Sequence, residues 1–312
     1  MKLSHLLTLE EFPAEAFEPV FKLSAQLKKA RGRAAGANAL KGQTWGLVFT
    51  KSSTRTRVSF EVGVRELGGN ALFLSGNDIQ LGRGESIADT ARVLSRFIHG
   101  VIIRTFEQED LRQFAKWGSI PVINALTDDE HPCQILADLF TIREKRGKTG
   151  LKKLTFIGDG ACNVPRSWLF AAAKLGFELA IGAPKKYQPD AGVLARAEKM
   201  AKRGFKYSAS EDVIEASRGA DVLYTDVWVS MGKEDEAGER LKELAGYQIH
   251  SKAVAAAKPN ALVMHCLPAY RGKEITDEVF EANAQTIFDQ AENRLHAQKA
   301  ILTLVSKQRA RR

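Results

Sequence analysis

The sequence predicts an α/β protein with two domains, each built on a mostly parallel sheet that is flanked by helices. Short apolar and β-branched runs alternate along the chain with segments of helical periodicity, which is typical of parallel sheets with crossover helices. The 312 residues are about twice the length of an average domain. The alternation occurs twice, on either side of a Gly-rich basic stretch at residues 146–150. We therefore expect one sheet in each half of the chain.

Nine short runs rich in Val, Ile, Leu and Phe predict the strands of the two sheets. Four of these runs lie in the first half of the chain and five in the second. The predicted strands are 45–50, 71–75, 101–105, 121–124, 154–158, 178–182, 205–208, 222–226 and 261–265.

Helical periodicity lies between most of the predicted strands. In the segment after the first strand, Phe60, Val64 and Leu67 recur at positions i, i+4 and i+7, the spacing of one helix face. The three clearest predicted helices are 56–67, 133–144 and 293–308.

The Gly-rich stretch after the second of these helices predicts the domain boundary. We expect a first domain over residues 1–146 and a second over residues 147–292. The last helix, within residues 293–312, follows the second sheet and carries apolar residues that would let it pack back on the first domain.

The composition excludes several classes of protein. Hydrophobic residues make up 44% of the chain and charged residues 27%, which argues against disordered, collagen-like and membrane proteins. Acidic residues follow soon after the N-terminus, which argues against a secretory signal. The three cysteines form no Cys-x-x-Cys pair, so a disulfide framework or a structural zinc site is not expected. We expect a cytoplasmic protein without a metal.

The net charge of +9 indicates anionic partners without identifying them. Four of the positive charges lie in the last six residues, which contain no acid and are expected to form a solvated terminus. The remaining charge of about +5 could steer anionic substrates or nucleic acid, and charge alone cannot choose between them.

A dense group of anion-binding side chains follows the first predicted strand. The sequence KSSTRTR at residues 51–57 joins that strand to a helix, whose N-terminal N–H groups favour an anion. Ser53, Thr54 and Thr56 add hydroxyl donors, and Arg55 adds a planar guanidinium group that matches phosphate oxygens. A Ser-capped helix with solvated arginines is the alternative, but the density of donors favours a phosphate site. The Gly-x4-Gly-Lys pattern of a Walker loop is absent.

Two later strand ends carry further ligand-binding side chains. Arg104 lies at the end of the third predicted strand, and open α/β sheets place ligands at the carboxyl ends of their strands. His131 and Gln134 open the helix that follows the fourth strand, where each can donate to a carbonyl oxygen or accept from an amide. A helix cap is the ordinary role of a lone His at such a place. Three strand ends that converge on anion and amide donors favour a ligand site instead.

These motifs resemble those of the carbamoyltransferase family, in chain order over residues 5–305. The segment DVWVSMG narrows the resemblance to the ornithine carbamoyltransferases. The segments that carry the resemblance are STRTRVSFE at 53–61, RTF at 104–106, HPCQ at 131–134, DVWVSMG at 226–232 and HCLP at 265–268.

The resemblance implies a carbamoyl-phosphate domain followed by an ornithine domain, in a homotrimer whose sites lie between subunits. It implies Gln80 as a residue that reaches the carbamoyl phosphate of a neighbouring subunit. The residues implied for carbamoyl phosphate are Ser53, Thr54, Arg55, Thr56, Gln80, Arg104, His131, Gln134, Cys266, Leu267 and Arg294. Those implied for ornithine are Asn163, Asp226, Ser230 and Met231. Those implied as catalytic are Arg55, Arg104, His131, Cys266 and Arg294.

The implied reaction is attack of the ornithine side-chain amine on the carbamoyl carbon of carbamoyl phosphate, which gives citrulline and phosphate and serves arginine biosynthesis. The amine has a pKa of about 10.4 in water and must be neutral to react. Fixed cations such as Arg55, Arg104 and Arg294 would stabilise the negative charge that grows in the transition state. The reaction requires no metal and no redox cofactor.

Residues in the second half are expected to bind the amino-acid substrate. Asp226 ends a predicted buried strand and could receive the substrate α-ammonium group, with a turn cap as the alternative. We expect arginines near Cys266 to lower the pKa of its thiol, although a packed small side chain is the alternative. Asn163 aligns with an ornithine-binding Asn, within a turn at residues 158–166 that departs from the usual Gly-Asn-Asn of relatives.

Two other functions remain open. One is carbamoyl transfer to another amine, namely N-acetylornithine, N-succinylornithine or aspartate. Aspartate would need cations for its second carboxylate, whereas Asp226 offers an anion and favours a diamino acid. The other is non-catalytic binding of an anion or nucleic acid, which predicts basic residues on one surface, whereas many lie at strand ends. We therefore expect no nucleic-acid or membrane partner.

Overall fold

The computed structural model describes residues 3–32, 38–76, 84–148 and 150–309. Within these residues lie nine strands, twelve α-helices and three short 3₁₀ turns. The strands are β1 (Thr44–Phe49), β2 (Asn70–Ser75), β3 (Gly100–Arg104), β4 (Val122–Leu126), β5 (Lys153–Ile157), β6 (Glu178–Gly182), β7 (Lys206–Ser210), β8 (Val222–Thr225) and β9 (Leu262–His265). The helices are α1 (Phe17–Lys29), α2 (Thr54–Glu66), α3 (Ile87–Phe97), α4 (Gln108–Trp117), α5 (Pro132–Arg146), α6 (Asn163–Leu175), α7 (Ala191–Lys199), α8 (Val213–Ser217), α9 (Ala237–Glu243), α10 (Ser251–Ala256), α11 (Asp277–Ala282) and α12 (Ala284–Arg309).

Each of the nine predicted strands is confirmed to within two residues at either end. The predicted fold class is also confirmed, because the strands form two fully parallel sheets with helices between successive strands. Parallel strands are buried on both faces and therefore read as continuous apolar runs, which is why the sequence identifies them well.

The first sheet contains four strands in the order β2-β1-β3-β4. Phe60, Val64 and Leu67, the residues whose spacing predicts helix α2, are all fully buried. The strand order reverses direction between β1 and β3, so the carboxyl ends of these two strands border the crevice in which open α/β sheets bind ligands. The segment KSSTRTR at residues 51–57, called the phosphate motif below, follows β1 with one residue between them. Arg104 ends β3, so both lie at this switch point.

The second sheet contains five strands in the order β7-β6-β5-β8-β9, and its order reverses between β5 and β8. Gly158 directly follows β5 with a φ of +123°, a conformation that favours glycine, and a Cβ there would lie 3.5 Å from Trp228. Because β5, β8 and β9 are neighbouring parallel strands, the residues that follow them share one edge of this sheet. These are the segments that contain Asn163, Asp226 and Cys266.

The chain divides into two compact units, residues 1–140 with 293–312 and residues 141–292. Helix α12 begins at Ala284, nine residues before the predicted start, because no Gly or Pro interrupts residues 284–292. Its later part packs on the first unit, as predicted. Lys28 Nζ lies 2.9 Å from Asn293 Oδ1, and Lys299 Nζ lies 2.6 Å from Glu66 Oε2. Among the helices described, none has the length and apolar composition of a membrane span.

Candidate active site

The phosphate motif forms the start of helix α2, beside a cavity of about 750 Å³ at the end of β1. Ser53 is the N-cap, and its hydroxyl oxygen accepts the N–H of Thr56 at 3.2 Å. Ser53 therefore caps the helix, which is the alternative to phosphate binding given in the sequence analysis. The two roles are compatible, because the capping oxygen accepts a hydrogen bond while the hydroxyl proton can still be donated to an anion. Thr54 lines the cavity, and Arg55 is exposed. Arg57 also lines the cavity, where it pairs with Glu61 at 2.8 Å and lies over the Phe73 ring.

His131, Arg104 and Arg294 come together in the first unit. All three are buried, and burial together with the charges of Arg294 and Arg104 holds the pKa of His131 well below its usual range. The imidazole is therefore neutral at physiological pH. A neutral imidazole can donate an N–H to a carbonyl oxygen, and the two nearby guanidinium groups favour negative charge on that oxygen.

Gln134 lies in the same buried cluster. Nη1 of Arg294 donates to Oε1 of Gln134 at 2.7 Å, and Nη2 of Arg294 donates to Oγ1 of Thr56 at 3.0 Å. Nε2 of Gln134 donates to Oδ1 of Asp138 at 2.8 Å. Helices α2, α5 and α12 thus each supply a polar group to one hydrogen-bonded network. It contains Thr56 and Gln134, two of the five hydroxyl and amide residues implied for carbamoyl phosphate.

Lys51 is a site residue that the sequence interpretation did not single out. It follows β1 directly, is buried and forms an ion pair with Asp128, whose side chain is 56% exposed. Its Nζ also lies 4.1 Å from the centre of the Phe106 ring. Lys51 lines the same cavity as the phosphate motif, so it adds a buried cation at the sheet's switch point. Its positive charge at the start of the KSSTRTR segment is visible in the sequence, whereas its burial is visible only in the structure.

In the second unit, Asp226 and Cys266 meet at the ends of β8 and β9. The Cys266 thiol hydrogen-bonds the Asp226 carboxylate, and the N–H of Val227 donates to the same carboxylate at 2.8 Å. Burial raises the pKa of the Asp226 carboxyl, and these two hydrogen bonds oppose the rise. Within this unit an acid therefore lies beside Cys266, and the arginines that the sequence led us to expect near it stay a prediction.

His265 supports this pair and has both ring nitrogens engaged. The N–H of Leu267 donates to His265 Nδ1 at 2.8 Å, so the ring proton is on Nε2, which donates to Glu274 Oε1 at 3.1 Å. One ligand-type atom each of Asp226, His265 and Cys266 lies within 4.8 Å of the others, a composition that can bind zinc. A metal would have to displace one of the two hydrogen bonds of the imidazole, so the trio does not fit a preformed metal site.

The turn that carries Asn163 lies near this pair. Asn163 is the first residue of α6, and its N-cap is Cys162. Burial, followed by the charges of Asp159 and Asp226, raises the pKa of the Cys162 thiol, which shows that this turn lies near Asp226. Leu267 has a φ of +61°, an uncommon conformation for a branched residue.

The connection that follows β8 carries the remaining two predicted ornithine residues. Ser230 is partly buried and Met231 is 43% exposed. Gly232 follows with a φ of +92°, and its N–H donates to the Glu234 carboxylate at 2.9 Å. A φ of this sign favours glycine, which has no Cβ, so the chain can make this turn at Gly232 without strain.

A buried ion pair that the sequence interpretation missed ties this connection to β5. Arg240 on α9 bonds the Asp159 carboxylate through Nη2 and donates through Nε to Trp228 O at 2.8 Å. Burial raises the pKa of the Asp159 carboxyl, and the guanidinium of Arg240 opposes that rise. The pair holds the turn after β5 against the segment after β8, which carry Asn163 and Asp226.

Comparison with known proteins agrees with this arrangement. The aspartate/ornithine carbamoyltransferase carbamoyl-P binding domain matches residues 4–144, and the Asp/Orn binding domain of the same family matches residues 151–305. The chain belongs to the aspartate/ornithine carbamoyltransferase family. It is 51% identical to an ornithine carbamoyltransferase of Syntrophus aciditrophicus over 300 residues, which cover 96% of this chain and 98% of the relative. It is 50% identical to that of Syntrophotalea carbinolica over 298 residues, covering 95% and 97%.

Solved structures of the family are also similar to the chain. The anabolic ornithine carbamoyltransferase of Campylobacter jejuni superposes with a TM-score of 0.92 at 44% identity, covering 99% of this chain and 100% of that one. The ornithine carbamoyltransferase of Pyrococcus furiosus gives a TM-score of 0.91 at 44% identity, covering 98% of each chain. The resemblance read from the sequence motifs is therefore confirmed at the level of the family.

Within this family fold, the site residues implied by the motifs fall into two groups. Thr56, Arg104, His131, Gln134 and Arg294 cluster in the first unit. Asp226 and Cys266 are in contact in the second unit. Gln80 lies outside the described residues, so its implied role stays a prediction.

Proposed function

We propose that the chain transfers the carbamoyl group of carbamoyl phosphate to the side-chain amine of L-ornithine, giving L-citrulline and phosphate. Its membership of the aspartate/ornithine carbamoyltransferase family limits the reaction to carbamoyl transfer onto an amino acid. The relatives named above are ornithine carbamoyltransferases, which favours ornithine as that amino acid.

Carbamoyl phosphate is proposed to bind to the predicted first domain, residues 1–146, together with Arg294 on the last helix, which belongs to the same compact unit. Its phosphate would meet the N-terminus of α2 with Ser53, Thr54 and Arg55, where N–H groups, hydroxyls and a guanidinium are all donors. Thr56, Arg104, His131, Gln134 and Arg294 of the first unit would bind its carbamoyl group. Cys266 and Leu267 stay the further residues that the motif resemblance implies for this substrate. The neutral imidazole of His131 supports this assignment because it can donate to the carbamoyl oxygen.

The observation that carries the choice of ornithine is the Asp226 carboxylate, which accepts hydrogen bonds from the Cys266 thiol and the Val227 N–H. An anion at this place suits a diamino acid and opposes the side-chain carboxylate of aspartate. Asn163, Ser230 and Met231 are proposed to bind the rest of ornithine, within residues 147–292.

The chemistry follows from these charges. The ornithine amine, once neutral, attacks the carbamoyl carbon, and the bond from that carbon to the phosphate oxygen breaks. The attacking nitrogen loses one proton, which the leaving phosphate accepts. Negative charge grows on the carbamoyl oxygen and on the leaving phosphate. Arg104 and Arg294 are buried cations that would stabilise it without reorganising, an effect that is worth about 3 kcal/mol for one preorganised donor. Arg55, which is exposed at the start of α2, would add a third cation.

We further propose a cytoplasmic homotrimer that serves arginine biosynthesis, with Gln80 of one subunit acting in the site of the next. Exposed apolar side chains near the phosphate motif support a subunit contact there. Val58 on α2 is 53% exposed and lines the cavity, and Leu72 on the edge strand β2 is 45% exposed. A second chain over this face would cover both side chains and the sheet edge.

Citrulline formation tests the proposed function. Purified protein is given carbamoyl phosphate with ornithine, N-acetylornithine, N-succinylornithine or aspartate in parallel, and the carbamoylated product and phosphate are both measured. We expect turnover with ornithine at least about 100-fold faster than with the other three amines, the discrimination that a mismatched buried charge provides. Preference for another amine would reassign the substrate, and phosphate release without any carbamoylated product would contradict carbamoyl transfer.

A further inference from the structure

The side-chain amide of Gln134 is held between two charged side chains of opposite sign. Its Nε2 lies 2.8 Å from Asp138 Oδ1, one turn further along α5, and its Oε1 lies 2.7 Å from Nη1 of Arg294 on α12. All three side chains are buried, and Asp138 has no exposed surface. The sequence interpretation singled out Gln134 and Arg294, but not Asp138.

Asp138 and Arg294 allow the side-chain amide of Gln134 only one orientation. A guanidinium group can only donate hydrogen bonds and a carboxylate can only accept them. If the amide rotated by half a turn, its NH₂ would face Arg294 and its C=O would face Asp138. Both hydrogen bonds would then be lost, which is costly for buried polar atoms. Asp138 and Arg294 together therefore fix which end of Gln134 faces which way.

We propose that Asp138 is a positioning residue, which holds Oε1 of Gln134 as the acceptor for the NH₂ group of carbamoyl phosphate. This inference rests on the proposed function, in which Gln134 binds the carbamoyl group. A carbonyl oxygen has two acceptor sites, so Oε1 can accept from Arg294 and from the substrate at once. A reversed Gln134 would present its own NH₂ to the substrate NH₂. Asp138 thus makes the site select an amide over a ketone of the same shape.

Two phosphonates that differ by one group test this selection directly. Phosphonoacetamide carries the NH₂ group of carbamoyl phosphate, and 2-oxopropylphosphonate carries a methyl group in its place. We expect the wild-type protein to bind the amide about 10-fold more tightly than the ketone, the ratio for one buried hydrogen bond. In Asp138→Asn, which can donate as well as accept, we expect this ratio to fall to about 2-fold or less, mainly through weaker binding of the amide.

A second background distinguishes positioning from support of the fold. In Gln134→Glu the new carboxylate would face the Asp138 carboxylate, and Asp138→Asn would then replace this repulsion with an N–H donor. We expect Asp138→Asn to lower the binding ratio in the wild-type background and to raise it in the Gln134→Glu background. The thermal midpoint of Gln134→Glu should rise likewise when Asp138→Asn is added. This comparison holds even where Asp138→Asn alone folds poorly.

The matched control is another buried carboxylate whose partners lie elsewhere. Asp221 accepts the backbone N–H groups of Lys152 and Lys153 at 2.8 and 2.9 Å in the second unit. Asp221→Asn should lower the thermal midpoint and leave the ratio of the two phosphonates unchanged.

Four results would contradict these proposals, three of them the positioning role and one the proposed function. If Asp138→Asn weakened binding of both phosphonates equally, the positioning role would be wrong. It would also be wrong if Asp138→Asn lowered the binding ratio equally in the wild-type and Gln134→Glu backgrounds. A full amide preference retained in folded Asp138→Asn would also overturn it. A wild-type protein that binds neither phosphonate and forms no citrulline would instead overturn the proposed function itself.

Discussion

Arg294 donates to Oε1 of Gln134 at 2.7 Å, although the two residues are 160 positions apart in the chain. The same guanidinium reaches Thr56 on a third helix, so the end of the chain completes a network that begins at the phosphate motif. This contact lies within the first unit, to which helix α12 belongs from Asn293 onward. The return of the last helix is therefore part of the site as well as part of the fold.

Replacing Arg294 with Lys should lower activity, because one ammonium group cannot bond Gln134 and Thr56 in the geometry of the guanidinium fork. We expect kcat/KM for carbamoyl phosphate to fall about 100-fold in Arg294→Lys. Steady-state kinetics at saturating ornithine measures this. Lys299→Met is the control, since it removes a cation from the same helix that pairs with Glu66 instead. Near-normal kinetics in Arg294→Lys would mean that the fork serves packing alone.

Asp226→Asn should weaken binding of ornithine and leave the carbamoyl-phosphate side intact. The reason is that the variant keeps the shape of the side chain and loses the anion that the Cys266 thiol bonds. We expect kcat/KM for ornithine to fall about 100-fold, while the affinity for phosphonoacetamide changes less than about 2-fold. Asp235→Asn, an exposed acid in the same connection, controls for the change in net charge. Equal loss of both ligands would assign Asp226 to the fold.

The sequence predicts the strands well and the side-chain contacts only in part. Parallel strands are apolar runs, and the polar residues at their ends are visible in the same reading, so Arg104, His131 and Asp226 could be found from sequence alone. Lys51 could not, since its burial depends on Asp128, which is 77 positions away, and on the Phe106 ring.

Two other residues were also missed in the sequence interpretation, because their burial depends on parts of the chain that only the fold brings to them. Arg240 reads as a surface residue of a short helix until the fold brings Asp159 to it across 81 positions. Asp138 lies one turn from Gln134, but an acid on a helix is usually exposed to solvent. The structure shows that this side chain is buried with α5, which is why its hydrogen bond to Gln134 is noticed only there. Pairing of charges in the interior is thus a property of the tertiary structure, which local patterns do not encode.

The shared-site homotrimer predicts that two inactive proteins can restore each other. Each site would need Arg55 from one chain and Gln80 from the next. We expect Arg55→Ala and Gln80→Ala each to be poorly active, and activity to reappear when the two are unfolded and reassembled together, because some interfaces then hold both intact residues. Simple mixing without dissociation should restore nothing.

A double variant provides the control for this exchange. Arg55→Ala with Gln80→Ala in one chain should restore no activity when it is reassembled with either single variant. If verified hybrid trimers of the single variants show only the sum of their residual activities, Gln80 does not act in a neighbouring site.

His131 should remain neutral over the working pH range. Burial and the charges of Arg294 and Arg104 hold its pKa well below the usual value, so we expect no titration of its ring between about pH 6 and 9. Its pKa is depressed on folding, so its contribution to stability is present above the unfolded-state value of about 6.5 and is lost as the pH falls below it. Ring NMR signals, assigned by their absence in His131→Asn, would measure this. A midpoint near the unfolded-state value would contradict the neutral donor.

Arg240→Met should destabilise the protein more at alkaline than at acidic pH. The change leaves the Asp159 carboxylate buried without its guanidinium, and an uncompensated buried charge costs about 3–5 kcal/mol. Burial already raises the pKa of Asp159, and loss of Arg240 raises it further. A raised folded-state pKa means that stability is retained below the unfolded-state value of about 4 and is lost as the pH rises through the folded-state value. The difference in free energy of unfolding between wild type and variant should therefore grow with pH, as urea unfolding at several pH values would measure.

A second substitution provides the control for this prediction. Adding Asp159→Asn to Arg240→Met should restore most of the lost free energy of unfolding and remove its dependence on pH, since the neutral amide has no charge to bury. A loss that is independent of pH, and that Asp159→Asn does not relieve, would trace the role of Arg240 to its bond with Trp228 O instead.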